Sequence, residues 1–158
     1  SIQGYCFGVG FEFSLACDFR IVTRCAQLSL PEMKIGMIPG SGGSVRLSRM
    51  IGLSRVKDMI MRGKRISGEE AYNYGLASEV VEINDLESAT KNLVKELCLV
   101  SPLAQRAIKT VLNSSQDAPL HVAIELEGET YGRLRSSSDF KEGVKSFVEK
   151  RKPVYTGQ

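Results

Sequence analysis

The sequence has few of the residue types that most directly mark a chemical function. It contains no tryptophan and one histidine, His121, so a serine–histidine–aspartate triad finds no support and His121 is expected to be structural or solvated. The four cysteines form no Cys-x-x-Cys pair and no cluster with histidine, so the sequence predicts no metal site and favours buried, reduced thiols. No apolar run approaches the roughly 18 residues of a membrane span, and no targeting segment is recognisable at the start of the sequence. We therefore expect a soluble intracellular protein, cytoplasmic or, where an upstream targeting segment exists, in a mitochondrial or other organelle matrix.

The composition is that of an ordinary globular domain. Of 158 residues, 42% are hydrophobic and 25% are charged, which is enough apolar content and length for a sizeable core. The 21 basic and 18 acidic residues give a net charge of +3. This mild excess does not indicate nucleic acid and suits an anionic small ligand equally well.

The pattern of the sequence changes near residue 85. Before it, β-rich runs alternate with glycine turns and short helices, which predicts a layered α/β core. The predicted strands are residues 2–7, 19–23, 27–30 and 76–81, and the predicted helices begin near Gly10, Gly43 and Ser54 and at the capping box Ser67–Glu70. After residue 85 the pattern is helical, with amphipathic stretches beginning at Leu86, Ser101-Pro102, Pro119 and Asp139, the last with Glu142 at its capping-box position. We expect two domains, an α/β core in 1–85 and a helical region in 86–158 whose apolar stripes pack on another subunit.

Two glutamates are the main candidates for chemistry. Glu12 and Glu32 each follow a short β-like segment at a point where the backbone turns. A pair of carboxylates brought to one pocket can transfer protons, and exposed amides beside them can stabilise an oxyanion. The alternative is two surface glutamates at helix starts, where the helix dipole favours negative charge.

The glycine segments beside these glutamates do not match nucleotide-binding motifs. Gly8-Val9-Gly10 lacks the third glycine of a dinucleotide fingerprint, and residues 40–43 (GSGG) lack the lysine of a phosphate-binding loop. Both segments instead predict close backbone approach. Gly8 and Gly10 follow a strand and precede a helix, so they either expose amides to an oxyanion or simply form a tight turn with positive φ.

Three motifs, in the same order along the chain, are similar to those of a known family. They are residues 3–12 (QGYCFGVGFE) with 15–18 (LACD), residues 31–32 (PE) with 38–43 (IPGSGG), and residues 147–151 (FVEKR). Together they resemble the enoyl-CoA hydratase/isomerase (crotonase) superfamily over essentially the whole chain. The resemblance implies an α/β fold, a spiral of ββα units followed by a helical C-terminal region used for trimerisation, often into a hexamer.

The resemblance also implies an activity on acyl-CoA thioesters. Hydratases of the family keep both glutamates, whereas its isomerases typically lose the first, so Glu12 and Glu32 together favour an enoyl-CoA hydratase of fatty-acid metabolism, as in β-oxidation. The reaction is syn addition of water to a trans-2-enoyl-CoA, with Glu12 activating water and Glu32 exchanging a proton at the α-carbon. The family pattern makes the Val9 amide an oxyanion donor. Coenzyme A is part of the substrate, so no separate cofactor is implied.

The same resemblance assigns substrate-binding positions. They are Gly8, Gly10, Pro39, Gly40, Phe147 and Lys150. Phe147 and Lys150 would contact the adenine or 3′-phosphate of coenzyme A across a subunit boundary, and the alternative for this basic stretch is a solvated helix face.

Two departures from the family pattern bear on the prediction. Val9 stands where the family usually has glycine, and a β-branched residue resists positive φ and narrows the approach of the thioester. The family also has an N-terminal portion before this segment, so we expect the chain to be a fragment, the alternatives being a second chain that supplies that portion or an incomplete, inactive product. An isomerase, and a non-catalytic subunit that binds a partner chain or RNA, remain open as functions.

Overall fold

Short strands and helices alternate through the first part of the chain in the computed structural model, which describes residues 1–158. The strands are β1 (Tyr5–Phe7), β2 (Ile21–Thr23), β3 (Gln27–Ser29), β4 (Ile66–Ser67) and β5 (Glu79–Val81). The helices of this part are α1 (Val9–Leu15), α2 (Gly43–Ile51), α3 (Leu53–Met61) and α4 (Gly68–Asn73), with 3₁₀ turns at Glu32–Ile35 and Ile83–Asp85. The four predicted strands are confirmed in shortened form, while β4 and the turn that carries Glu32 were not predicted.

Parallel pairing fixes which chain segments meet. β1 pairs in parallel with β3, with Phe7 opposite Ser29, and β3 pairs antiparallel with β4. β2 and β5 form a second parallel pair, which Ile2 extends through a bridge to Val22. Because the carboxyl ends of parallel strands lie at the same edge, the residues after β1 and after β3 are neighbours.

The chain divides into two compact units, Ser1–Asn92 and Leu93–Gln158. The core of the first unit contains side chains that are almost completely withdrawn from water, among them Phe11, Leu28, Leu30, Leu47, Met59, Ile66 and Leu76. Each such side chain contributes roughly 1.5–3 kcal/mol of hydrophobic stabilisation. Phe11 and Leu15 anchor α1 in this core, which fixes the helix that carries Glu12.

The predicted capping box of α4 is confirmed. The Ser67 hydroxyl accepts the Glu70 amide at 3.1 Å, and a Glu70 carboxylate oxygen accepts the Ser67 amide at 2.9 Å. These two bonds satisfy amides that the first turn of a helix otherwise leaves unpaired.

Helices make up the rest of the chain. They are α5 (Leu86–Cys98), which runs across the division between the units, α6 (Pro102–Ser115), α7 (Leu120–Leu134) and α8 (Ser138–Val148). The Ser101 hydroxyl caps α6 by accepting the Ala104 amide at 3.1 Å, as predicted. None of the helices combines the length and the apolar character needed to cross a bilayer.

The start of α8 differs from the prediction. Its N-cap is Ser137, whose hydroxyl accepts the Phe140 amide, and Glu142 does not take part in a capping box. Glu142 instead accepts two hydrogen bonds from the Arg151 guanidinium, at 2.5 and 2.9 Å, and one from the Val154 amide at 2.9 Å. Its carboxylate therefore ties the C-terminal segment to α8, a long-range role that local spacing does not reveal.

The expectation of buried cysteines is wrong for three of the four. Cys17, Cys25 and Cys98 are exposed, and Cys6 is half-buried. Cys17 follows the end of α1 and Cys25 lies in the turn between β2 and β3, where the backbone leaves the core. All four thiols are free, and partial burial raises the pKa of Cys6.

Candidate active site

Glu12 is a buried carboxylate held by backbone amides. It lies on α1 and is only 2% exposed, so the interpretation as a surface glutamate is wrong. Its Oε1 accepts the amides of Ser41 and Gly43, each at 2.8 Å, and no hydrogen bond engages its Oε2. Hydrogen bonds to an ionised carboxylate are among the stronger ones in proteins, so the Ser41 and Gly43 amides fix the orientation of this side chain.

The absence of a side chain at Gly43 makes this contact possible. A Cβ at Gly43 would lie 2.6 Å from Cγ of Glu12 and 2.8 Å from Oε1. The glycine-rich segment before α2 is therefore a place of close approach, as predicted, and the group that approaches is Glu12.

Glu32 opens the 3₁₀ turn that follows β3 and is half-buried. Its Oε2 is withdrawn from water and has no hydrogen-bond partner. Leaving a buried acceptor unpaired costs about 1–3 kcal/mol. An unpaired carboxylate oxygen is well suited to receive a donor from a bound molecule.

The Gly8 backbone connects the two glutamates. Gly8 follows β1, its amide donates to the Ser29 carbonyl at 3.0 Å, and its carbonyl accepts the Glu12 amide at 2.9 Å. A Cβ at Gly8 would lie 2.9 Å from Oε1 of Glu32. The parallel pairing of β1 with β3 thus places the carboxylate of Glu32 against the start of the helix that carries Glu12.

Val9 does not adopt the strained backbone that its β-branched side chain would resist. The positive φ, 53°, falls on Gly8, and Val9 is the first residue of α1. The Val9 side chain is 68% exposed. Its amide belongs to the first turn of the helix, which offers that amide no acceptor from within the helix.

The remaining predicted site residues are divided between the two units. Gly10 lies on α1 beside Val9, and Pro39, which is buried, and Gly40 begin the loop that leads to Ser41. Phe147, 85% exposed, and Lys150 lie in the second unit, as does His121. No group of three histidine, cysteine or acidic side chains is placed to hold a metal ion.

Two cavities lie in the second unit, away from both glutamates along the chain. One, of about 570 Å³, is lined mainly by α6 and α7 and includes Ile108, Ile124 and Tyr131. The other, of about 460 Å³, includes Phe147 and Tyr155. Their linings are largely apolar and contain no acid–base pair.

The sequence did not predict the amides that hold Glu12. Ser41 and Gly43 are distant from Glu12 in sequence, and a glycine-rich run indicates close approach without naming the group that approaches. The glycine-rich run was therefore a visible signal of close approach, and the structure was needed to show that Glu12 is the group that approaches.

Comparison with known proteins identifies the family. The profile of the family "Enoyl-CoA hydratase/isomerase" matches residues 1–158, and the chain belongs to this family. The fold matches solved structures of an enoyl-CoA hydratase from Bacillus anthracis (TM-score 0.95, 39% identity, 98% of this chain and 60% of that chain) and of one from Geobacillus kaustophilus HTA426 (TM-score 0.93, 36% identity, 98% and 60%). The resemblance and the α/β crotonase-like fold are confirmed.

Curated relatives include a carnitinyl-CoA dehydratase of Salmonella typhi, 35% identical over an alignment of 167 positions that covers 100% of this chain and 62% of the relative. The Bacillus subtilis protein YngF, by name an enoyl-CoA hydratase/isomerase, is 36% identical over 157 residues, 99% of this chain and 60% of its own length. The chain thus spans about 60% of the length of the relatives that it matches.

Proposed function

We propose that the protein is an enoyl-CoA hydratase. The observation that carries this proposal is a pair of glutamates linked through Gly8, whose carbonyl accepts the Glu12 amide and whose missing side chain leaves room for Oε1 of Glu32. The Glu12 carboxylate is held at a single oxygen, and the Glu32 carboxylate has an unpaired buried oxygen. The family's hydratases keep both glutamates, and one curated relative is by name a dehydratase, which catalyses the reverse class of reaction.

The proposed reaction adds one water to a trans-2-enoyl thioester. Glu12 orients the water through its free Oε2 and helps remove its proton while the oxygen bonds to the β-carbon. Glu32, which holds a proton at the start of the turnover, delivers it to the α-carbon. Exchange with solvent then removes the water-derived proton from Glu12 and returns a proton to Glu32. The electron pair released from the double bond passes into the thioester carbonyl, where the Val9 amide stabilises the enolate oxygen.

The test is hydration of crotonyl-CoA by the longest natural form of the protein that contains this chain. The reaction is monitored through the loss of enoyl absorbance. Glu12→Gln and Glu32→Gln should each lower kcat by about 10²- to 10⁴-fold, the usual contribution of a general acid or base. Glu79→Gln is the matched control, because Glu79 is an exposed carboxylate of the same unit. If neither single substitution lowers kcat, the assignment is wrong.

An isomerase is the second candidate, and the unpaired Oε2 of Glu32 favours it. Double-bond migration needs one carboxylate that removes and returns a proton, and Glu32 alone could supply it. Glu12→Gln distinguishes the two reactions. It should lower hydration by about 10²- to 10⁴-fold in a hydratase, whereas in an isomerase hydration is absent from the start and migration of a 3-enoyl-CoA survives the change.

The helical unit is proposed to assemble with other copies, as a trimer or hexamer, and to carry the coenzyme A contacts of Phe147 and Lys150. Support comes from the family likeness and from the exposed apolar side chains of Ile108, Ile124 and Phe147. Ile124→Glu should lower the molar mass measured by analytical ultracentrifugation, and an unchanged mass would contradict this role of the α7 surface. Phe147→Ala should raise KM for the acyl-CoA more than it lowers kcat, and an unchanged KM would contradict the coenzyme A contact.

A further inference from the structure

We propose that Arg46 is a positioning residue for Glu12 and acts through the loop of residues 39–43. The proposal rests on the hydratase function proposed for this site. It gives Arg46 an indirect role, exerted through the backbone of Ser41 and Gly42.

Arg46 and Glu12 hold Ser41 from two sides. The Arg46 Nη1 donates to the Ser41 carbonyl at 2.8 Å. The Ser41 amide in turn donates to Oε1 of Glu12 at 2.8 Å. The guanidinium therefore restrains the residue whose amide orients the carboxylate.

The guanidinium also lies directly against Gly42. A Cβ at Gly42 would be 2.5 Å from the Arg46 Nη1, and Gly42 has a φ of 85°, so this position suits glycine for two reasons. The Arg46 amide donates to the Gly42 carbonyl at 3.0 Å. Arg46 thus contacts both residues that precede the second Glu12 donor, Gly43.

A loop of this composition needs such a restraint. Glycine loses more conformational freedom on folding than any other residue, and Gly40, Gly42 and Gly43 surround Ser41. Without the Arg46 contact, the Ser41 and Gly43 amides should sample a wider range of positions. The orientation of Glu12 would become less defined, and misplacement by about 1 Å can cost roughly 100-fold in rate.

The test removes the hydrogen-bond donor while keeping the apolar stem. Arg46→Met should lower kcat for crotonyl-CoA hydration by about 10- to 100-fold with KM within about twofold, because Glu12 acts in the chemical step. Arg46→Lys, which can still donate to the Ser41 carbonyl, should recover most of the loss. Lys57→Ala is the charge-matched control on the neighbouring helix α3 and should leave kcat unchanged. An unchanged kcat in Arg46→Met, or a loss that Arg46→Lys does not relieve, overturns the proposal.

A second measurement separates positioning from a general structural defect. In a Glu12→Gln background, Arg46→Met should cause no further loss of the residual activity. If Arg46→Met lowers kcat by the same factor in this background as in the wild type, the proposal is overturned. Amide NMR shifts of Ser41 and Gly43 should change in Arg46→Met and remain near wild type in Arg46→Lys. Unchanged shifts in Arg46→Met overturn the positioning role even in an active hydratase. Changed shifts in a protein without hydratase activity would support the restraint and refute the proposed function alone.

Discussion

Gly43→Ala should lower both the activity of the site and the stability of the fold. The added Cβ would lie 2.6 Å from Cγ of Glu12, whereas apolar carbons pack at about 3.5–4.0 Å, so the side chain has to retreat by roughly 1 Å. The hydrogen bonds from Ser41 and Gly43, now 2.8 Å, would lengthen beyond useful range. Overpacking of a buried position typically costs about 1–3 kcal/mol. The lost orientation of Glu12 should lower kcat by about 100-fold, which corresponds to roughly 2.7 kcal/mol of transition-state stabilisation.

Crotonyl-CoA hydration and urea unfolding, measured on the same preparations, test this prediction. Gly132→Ala is the matched control, because it makes the same chemical change on α7 where the new Cβ would meet nothing within 4 Å apart from the adjacent backbone of its own helix. The control should keep wild-type kcat and gain about 0.5–1 kcal/mol of stability from the better helix propensity of alanine. If Gly43→Ala keeps kcat within about twofold of the control, the close packing of Gly43 on Glu12 does not serve the chemistry, and the exact placement of this carboxylate does not limit the rate.

Three further changes test other parts of the structure. Gly8→Ala adds a Cβ 2.9 Å from Oε1 of Glu32 at a φ of 53°, so kcat should fall and stability should drop by about 1–3 kcal/mol; wild-type values of both would contradict the geometry. Leu47→Ala in the core should cost about 2–5 kcal/mol in urea unfolding, and a cost below that of an exposed leucine would contradict its burial. The bonds from Arg151 lower the pKa of Glu142 from 4.5 to about 2, so their contribution to stability is complete above about pH 4.5 and is lost as the pH falls through 2. Glu142→Gln should therefore flatten the acid limb of thermal stability, and an unchanged limb would argue against the Arg151 contact.

Sequence patterns predicted the helices that are determined by residues close together in the chain. The spacing of Val56, Met59 and Ile60 predicted α3 because all three side chains are buried on one face. The capping box at Ser67 was also predictable, because both of its hydrogen bonds span three residues.

The failures involve contacts between distant residues. Glu142 has the spacing of a capping box after Asp139, yet its partner is Arg151, and nothing in the spacing distinguishes the two. β4 is only two residues long and is defined by its pairing with β3, so its own sequence carries too little pattern to predict it. The glutamates themselves were identified from residue type and family likeness, while the amides that hold Glu12 and the approach of Glu32 to Gly8 depend on contacts between distant residues.

The two carboxylates are held differently, and this asymmetry bears on how they divide the chemistry. Both amide donors of Glu12 bind Oε1, so the carboxylate has a fixed orientation and Oε2 has no hydrogen-bond partner. Glu32 has a buried oxygen without a donor, so a bound molecule can supply the hydrogen bond that the protein omits. A carboxylate of fixed orientation is suited to orienting a water molecule. A carboxylate with an unpaired oxygen is suited to proton transfer with a bound molecule. This asymmetry is consistent with the proposed roles, in which Glu12 orients water and Glu32 exchanges the α-carbon proton.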